Sequence, residues 1–393
     1  MHPHLFDIGG ITITTYGFCL MVGFLTAVWF AMRRARICGA DPDHIVDLAF
    51  VALLMGVAGS RVMYVLHYWD KRFADQPNKL LAIIDIRQGG LEFLGGLFGA
   101  AVAILLYLKL KKLSVRLYLD ILAPGAMWGL AFGRLGCFFN GCCFGGLCPV
   151  PADPNAVNPP YAVEFPYGSL AHTRQWEERQ ITVPAELITT SARPGLLPAT
   201  TLTMSVEKRE KLINDYREAL NALEDAKGKS LPEDERTKLQ RKERTARRVL
   251  ANEGLEHLIA AMRFPSREQG KRRTSPSELQ ALAAQSISRP VYATQIFSSI
   301  HAMILSLFLT AVFAFRKRHG LVIGLLFLMY PVARFLLESI RTDNPHDIAG
   351  LTISQSMSVA MMTGAAVYLF VLYRFLPETA PAEVLANSRP KEA

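Results

Sequence analysis

Apolar residues in this chain are gathered into seven long runs that are separated by polar links. The runs cover residues 13–32, 43–66, 90–108, 118–137, 291–315, 320–340 and 351–373. Each is close to the roughly 20 residues that an α-helix needs to cross a hydrocarbon core of about 30 Å. Because a helix satisfies its backbone polar groups within one segment, the runs predict membrane-spanning helices. The N-terminal residues lack the basic stretch of a signal peptide, so we expect the first helix to be retained.

A long polar insert separates the fourth run from the fifth. Residues 205–262 are rich in helix formers, which predicts one or two solvated helices with a break at Pro232. Apolar residues recur there at helical spacing, at Leu212, Tyr216, Leu220 and Leu223. Residues 264–288 have the composition of a linker. The predicted fold is an all-α polytopic membrane protein of about seven transmembrane helices, with a mostly helical soluble insert between helices four and five.

Lys and Arg residues in the short links set the expected orientation, because positively charged loops are retained in the cytoplasm. Three clusters fall on one side if all seven runs span: Arg33, Arg34 and Arg36; Lys109, Lys111, Lys112 and Arg116; Arg316, Lys317 and Arg318. That side should be the cytoplasm and should hold the C-terminus, with the N-terminus outside. The insert then lies on the outer side, since long loops are translocated largely regardless of their charge.

These boundaries divide the chain into four parts. Residues 1–169 hold the first four helices, 170–288 the insert, 289–375 the last three helices, and 376–393 a cytoplasmic tail. On the outer side, residues 67–89 form either an interfacial arm or a plain loop.

The net positive charge of the chain does not change the prediction of a membrane protein. The formal net charge is +9, and 51% of the residues are hydrophobic. The sequence contains no nucleic-acid-binding motif, and its basic residues lie where membrane anchors and a solvated insert require them. Membrane lipids are therefore the expected surroundings, and nucleic acid is not an expected partner.

Two arginines lie inside apolar runs, where a guanidinium is costly unless it meets an anion or lines a wet cavity. Arg134 lies near the end of the fourth run, and Arg334 lies in the sixth. Glu338 and Arg341 follow Arg334 at helical spacing. The two arginines suggest a buried pocket for an anionic lipid headgroup. The alternative is a structural ion pair with Asp120 or Glu338, or a local bridge between Glu338 and Arg341.

Other features admit a structural interpretation and a functional one. Paired glycines at 89–90 and 95–96 allow close approach of another helix or of a ligand, and Glu92 between them needs a partner or water. Tyr16, near the outer end of the first helix, is typical of an interfacial anchor.

Four cysteines lie close together, at Cys137, Cys142, Cys143 and Cys148. Their spacing is a weak metal signal. The alternatives are small buried thiols between helices, above all for Cys137, or a disulfide that joins Cys142 or Cys143 to Cys148.

Taken in order, these motifs resemble those of the bacterial prolipoprotein diacylglyceryl transferase family. The matching segments are 16–17, 59–61 with Tyr64, 89–96, 120–124, 133–145, 294–297, 334–335 with Glu338 and Arg341, and 353–355. The resemblance covers about 1–169 and 288–375. It implies transfer of the sn-1,2-diacylglyceryl group from phosphatidylglycerol to the lipobox cysteine thiol of a prolipoprotein, in the bacterial inner membrane. Glycerol phosphate is the other product.

The resemblance also implies roles for individual residues. Arg134, Arg334 and Tyr16 are the implied catalytic residues, with the arginines holding the phosphate. Asn140 either contacts the headgroup or holds the loop that follows it. The implied substrate-binding residues are Arg134, Asn140, Gly145, Glu338, Arg341, Gln295 and Asp120. The implied partners are phosphatidylglycerol and prolipoproteins, with the insert as a candidate contact for the secretion machinery. No cofactor or metal is implied.

The chain departs from the family pattern at several motif positions. Leu94 stands where the family commonly has a histidine, and Cys137 and Cys142 replace an asparagine and a glutamate. The general base is therefore open among Tyr16, Tyr292, Glu92 and water. The alternatives to this function are a paralogue that has another acceptor or is inactive, and a lipid-binding or transport protein. The sequence shows no inverted repeat of the kind that transporters have.

Overall fold

The fold was analysed in a computed structural model. It describes residues 4–8, 11–74, 79–84, 90–149, 159–188, 195–202, 204–227, 232–252, 255, 276–340, 346–348 and 350–378. The chain forms two compact units. The helix unit comprises His2–Phe139 and Thr294–Ala393, and the insert unit comprises Asn140–Ala293.

Seven helices in the described part of the chain are long and apolar enough to cross a membrane, which confirms the predicted fold class. They are α1 (Thr15–Ile37), α2 (Asp43–His67), α4 (Phe93–Leu110), α5 (Val115–Asn140), α11 (Thr294–Phe315), α12 (Leu321–Ser339) and α13 (Ile353–Phe375). Their bounds lie within a few residues of the apolar runs. The helix α5 is the most buried of the seven and therefore forms the centre of the unit.

Short elements join or precede these helices. An antiparallel hairpin of β1 (His4–Ile8) and β2 (Ile11–Thr14) precedes α1, and Thr14 caps that helix. After α2 come a π-helical turn at Trp69–Phe73 and the helix α3 (Lys79–Ile84). The described part of segment 67–89 is thus largely helical rather than a plain loop. The strands β5 (His346–Ile348) and β6 (Leu351–Thr352) lead into α13.

Glycines let α2 and α4 pack with their backbones in contact. A Cβ atom on Gly59 would overlap the carbonyl oxygen of Gly95, and one on Gly95 would overlap that of Gly59. Because lipid offers no hydrophobic driving force between helices, such close packing is a main source of association. Gly95 of the sequence motif therefore serves helix packing.

The insert unit is built mainly from helices. These are α6 (Leu170–Glu177), α7 (Ala199–Leu202), α8 (Val206–Lys227), α9 (Glu233–Asn252) and α10 (Pro276–Gln285). A 3-10 turn at Ala185–Leu187 lies between α6 and α7, and β3 (Ala162–Val163) pairs with β4 (Val291–Tyr292). The two helices predicted on either side of Pro232 are confirmed as α8 and α9. The prediction of a linker over 264–288 is wrong for 276–285, which form α10.

Buried polar side chains tie the insert unit together around α6. The Tyr167 hydroxyl donates to the carbonyl oxygens of Leu187 (3.1 Å) and Leu197 (2.9 Å). Burial raises the pKa of Tyr167 to about 12. The ring of His172 is fully buried and its Nε2 lies 3.0 Å from the Ser286 hydroxyl. Burial lowers the pKa of His172, so the neutral imidazole is the form that this core accommodates.

Candidate functional site

Contacts along α5 fix the direction in which its neighbours run. The Ser299 hydroxyl on α11 donates to the carbonyl of Ala131 (2.9 Å), and the Ser306 hydroxyl donates to that of Pro124 (2.7 Å). Higher numbers on α11 thus meet lower numbers on α5, so the two helices are antiparallel. A short turn and extensive packing make α12 antiparallel to α11. The helix α12 is therefore parallel to α5.

This arrangement places the two predicted arginines at one depth. The carboxylate of Asp120 accepts a hydrogen bond from the backbone N–H of Gly320 (2.7 Å), which joins the starts of α5 and α12. Arg134 and Arg334 each follow that contact by the same number of residues, which corresponds to about 21 Å along a helix. We call this end of the helix unit the Arg134 end, and the end that holds Asp120 the Asp120 end.

Arg134 is half-buried on α5. No hydrogen bond or ion pair joins its guanidinium to the residues that the structure describes. The alternative of an ion pair with Asp120 is ruled out by the distance of about 21 Å along their shared helix. A guanidinium in this setting keeps all five N–H donors for an anion.

Tyr16 adjoins the segment that follows Arg134. Its ring packs over Gly136, where an added Cβ would lie 2.9 Å from Tyr16 Cδ2 and 3.2 Å from Tyr16 Cα. The absence of a side chain at Gly136 is what lets the start of α1 approach the end of α5. The structure thus brings Tyr16 to the same end of the helix unit as Arg134 and Arg334, with Tyr16 partly exposed.

Arg334 lies in a network of polar side chains between α12 and α13. Its Nη2 is 3.0 Å from a carboxylate oxygen of Glu338, and its Nε donates to the Ser354 hydroxyl at 2.9 Å. The Glu338 side chain is fully buried, whereas 22% of the Arg334 side chain is exposed. The ion pair predicted as the structural alternative is therefore present, and part of the Arg334 side chain remains exposed.

The start of α13 supports this pair from the other side. Thr352 caps α13 by accepting from the backbone N–H of Gln355 (3.2 Å), and its hydroxyl also lies 3.4 Å from the second oxygen of Glu338. Gln355 completes the capping box through its side chain. Because the cap holds Thr352 in place, the carboxylate that orients Arg334 is itself fixed.

The other predicted site residues of the helix unit lie at different positions. Gln295 is fully buried near the start of α11, at the Arg134 end. Arg341 lies outside the described residues. Asp120 is fully buried at the Asp120 end, where its two oxygens accept from the N–H groups of Gly320 and Ile323 and one lies 3.6 Å from Arg316. Its carboxylate closes the start of α12, about 21 Å along α5 from Arg134.

Asn140 and Gly145 belong to the insert unit. Asn140 is the last residue of α5, and the next residue, Gly141, has a left-handed backbone (φ 67°). The Gly145 N–H donates to the Tyr292 carbonyl (2.9 Å). An added Cβ on Gly141 would meet Ser169 at 3.0 Å, which explains why the sharp turn out of α5 carries glycine.

The cysteines of this loop form no disulfide in the described part of the chain. The pairing of Cys142 or Cys143 with Cys148 that the spacing allowed is therefore not formed. Cys148 is buried, and burial raises the pKa of its thiol, so the protonated form is favoured.

Sequence reasoning gave no role to two side chains of α2 at the Arg134 end, and each belongs to a polar group. Arg61 on α2 donates to three backbone carbonyls: Ala82 (2.7 Å), Ile83 (2.7 Å) and Gly90 (3.0 Å). Like Arg134, Arg61 is an arginine inside an apolar run, and this criterion alone could have identified it. The second group is a pair, His67 at the end of α2 and Glu92 at the start of α4, with 2.8 Å between Nδ1 and Oε1. It supplies the partner that Glu92 was expected to need.

The helix unit also contains an apolar cavity of about 360 Å³ between α1, α2, α4 and α5. Leu20 and Phe24 line it from α1, and Leu122 and Gly125 line it from α5. A space of this kind inside a membrane-spanning unit suits hydrocarbon rather than a polar ligand.

Comparisons with known proteins agree with the motifs. The sequence model of a family described as prolipoprotein diacylglyceryl transferase matches residues 3–216 and 249–371. A relative from Rhodopirellula baltica, named phosphatidylglycerol–prolipoprotein diacylglyceryl transferase, is 28% identical over 94% of this chain and 74% of its own length.

Two other relatives carry the same name. The one from Clostridium tetani is 32% identical over 41% of this chain, and the one from Aliivibrio salmonicida is 37% identical over 42%. These matches span 63% and 55% of the relatives' own lengths, less than two thirds in each case.

Proposed function

Because this chain belongs to the prolipoprotein diacylglyceryl transferase family, we propose that it transfers a diacylglyceryl group from phosphatidylglycerol to the lipobox cysteine of prolipoproteins. The cysteine sulfur forms a bond to the terminal glyceryl carbon of the sn-1,2-diacylglyceryl group, and the bond from that carbon to the phosphate oxygen breaks. Glycerol phosphate leaves, and the thiol proton passes to a base. The observation that carries the proposal is the pair of arginines at one depth, one of them with no partner among the described residues.

Arg134 holds the phosphate in this proposal. The leaving group gains negative charge as the carbon–oxygen bond breaks, and a planar guanidinium pairs with two phosphate oxygens at once. Such a donor is most effective where water is excluded, because its interaction with the developing charge is then weakly screened. Since no carboxylate among the described residues pairs with Arg134, its charge is available for the substrate.

Arg334 is the second contact to the headgroup. Glu338 and Ser354 fix the orientation of Arg334, so its side chain loses little conformational entropy when it contacts the headgroup. The apolar cavity between α1, α2, α4 and α5 accommodates part of an acyl chain. Tyr16 packs over Gly136 and contacts the polar part of the lipid, and Gln295 adds a contact to the headgroup.

The pair of His67 and Glu92 is the best-supported base for the thiol. A carboxylate that hydrogen-bonds one ring nitrogen fixes the tautomer and orientation of the imidazole, which leaves the other nitrogen to accept a proton. His67 is mostly exposed, so a peptide thiol can approach it. The family commonly has a histidine at the position of Leu94. His67 and Glu92 lie at other positions, so this pair can act as the base although that histidine is replaced. Tyr16, Tyr292 and water are the competing bases.

A His67→Gln variant tests this assignment. We expect about 10²-fold slower transfer at pH 7 with an unchanged KM for the lipid, because only proton removal is affected. The deficit should shrink at pH 9, where a free thiol with a pKa of about 8.5 is largely ionised without help. A deficit that is constant from pH 6 to pH 9 would assign His67 a structural role.

The proposed location is the inner membrane, with the N-terminus and the insert outside. The alternating basic clusters that follow α1, α4 and α11 support this orientation. The prolipoprotein lipobox would then meet the Arg134 end from the outer side.

The experiment that tests the function uses purified full-length protein in detergent micelles with labelled phosphatidylglycerol and a peptide that carries a lipobox cysteine. Thioether-linked diacylglyceryl peptide and glycerol phosphate should appear in equal amounts. A peptide with serine in place of the cysteine is the control. Folded protein that forms neither product with any anionic phospholipid would overturn the proposal and favour a lipid-binding protein with another role.

A further inference from the structure

The helix α9 carries a dense set of basic side chains. Seven of the thirteen residues from 236 to 248 are Lys or Arg. The one acidic residue among them, Glu243, is buried and lies 3.5 Å from the Tyr216 hydroxyl. The outward surface of this part of α9 is therefore cationic.

Three of these arginines share one face. Arg241, Arg244 and Arg248 are spaced by three and four residues, so they project within about 60° of one another around the helix axis. All three are exposed, and the structure shows no hydrogen bond or ion pair from their guanidinium groups to any described residue. We call these three residues the arginine face.

The opposite face of α9 holds the helix in place. Leu250 packs with Tyr216 and Leu220 of α8 in a small apolar core, and Lys242 pairs with Glu218 at 3.1 Å. The arginine face is therefore not needed to fold the helical pair. By contrast, α8 has five basic and six acidic residues, so its surface has no excess of positive charge.

The arginine face lies in a part of the sequence that the family match does not cover. The family match stops at residue 216 and resumes at residue 249, so the whole basic stretch lies in a segment that the family model leaves out. A cationic surface in a segment outside the family match indicates a separate binding contact. It does not indicate a role in the reaction that the family shares.

We propose that the arginine face binds the anionic headgroups of the membrane surface and so holds the helical pair against the lipid. The partner follows from charge and from tethering. The insert is connected at both ends to membrane-spanning helices, α5 and α11, so lipid phosphates are present at a high effective concentration. Each arginine near an anionic surface strengthens binding by about fivefold. A basic protein segment would be repelled.

The test uses the full-length protein in nanodiscs of neutral phosphatidylcholine or of phosphatidylcholine with 30% phosphatidylglycerol. Amide hydrogen exchange is followed in α9 by mass spectrometry. We expect exchange in α9 to be at least about fivefold slower in the anionic nanodiscs, and the difference to disappear in 0.5 M salt. The salt result is independent of any substitution.

Two triple variants complete the design. Arg241→Gln with Arg244→Gln and Arg248→Gln should remove the lipid-dependent protection. The control variant, Lys208→Gln with Lys211→Gln and Arg217→Gln, removes the same amount of charge from α8. It should retain the lipid-dependent protection of α9. Equal loss in both variants, or protection that does not depend on the lipid charge, would overturn the proposal. Protection that appears only when a prolipoprotein is added would assign the face to a protein partner instead.

Discussion

Arg134 and Arg334 lie at the same depth of the helix unit, yet their surroundings differ. Arg334 is paired with a buried glutamate and a serine, whereas Arg134 has no partner among the described residues. A guanidinium that is paired inside the protein contributes to folding and is constrained in orientation. A guanidinium without a partner contributes little to folding, and its location inside a membrane segment is energetically costly. Such a residue is therefore expected to have a functional role. The comparison predicts that activity and stability respond differently to the two residues.

The largest effect is expected for Arg134→Gln. Loss of one charged donor to a developing oxyanion should slow transfer by about 10³-fold. The midpoint of thermal denaturation in detergent should stay nearly constant, because no described contact is removed. Both quantities are measured on the same preparation. A variant that unfolds instead would show that Arg134 is a structural residue.

The Arg334→Gln variant should lose both activity and stability. Transfer should fall by about 10²-fold, and the protein should be destabilised by about 3 kcal/mol because Glu338 is left buried without its charge partner. The double variant Arg334→Met with Glu338→Leu should recover most of the stability but none of the activity, since a well-packed apolar pair replaces a buried ion pair at little cost. Recovery of activity in the double variant would contradict a direct role for Arg334.

Gly136→Ala tests the contact between Tyr16 and the Arg134 region. The new methyl group would lie 2.9 Å from the Tyr16 ring, so the start of α1 must shift, and we expect about tenfold slower transfer. Gly133→Ala, one turn earlier, is the matched control, because its methyl group would meet only the flexible end of Leu20 at 3.4 Å. Similar losses in the two variants would show that helix packing in general, and not the position of Tyr16, limits activity.

The smallest effect is expected for Ser354→Ala. It removes the hydrogen bond to Arg334 Nε but leaves the ion pair with Glu338, so transfer should fall about threefold and stability by about 1 kcal/mol. Ser358→Ala is the control one turn later, where the hydroxyl bonds only the backbone of α13. If the two variants behave alike, Ser354 does not orient Arg334.

Much of the helix unit was predictable because a membrane imposes a length on each apolar run. The bounds of α2 (Asp43–His67) differ from the predicted run 43–66 by a single residue. The pairing of Arg334 with Glu338 followed from their spacing on one helix. The contacts of Ser354 and Thr352 were not predictable, since they come from the packing of α12 against α13.

The error over 276–285 has a simple source. The neighbouring residues 264–275 are polar and contain three Arg, two Ser, a Pro and a Gly, a composition typical of a linker that does not continue past residue 275. Ser275 followed by Pro276 and Glu278 is a helix-start signal, with proline at the first helical position and glutamate at the third. Leu279 and Ala283 then supply the buried face of α10.

Three hydrogen bonds from Arg61 tie two neighbouring segments of the chain, α3 and Gly90, to α2. One rigid guanidinium holds both the short helix α3 and the residue that opens the glycine motif, Gly90. Because one side chain on α2 holds both segments, we expect α3 and Gly90 to move together when either is displaced.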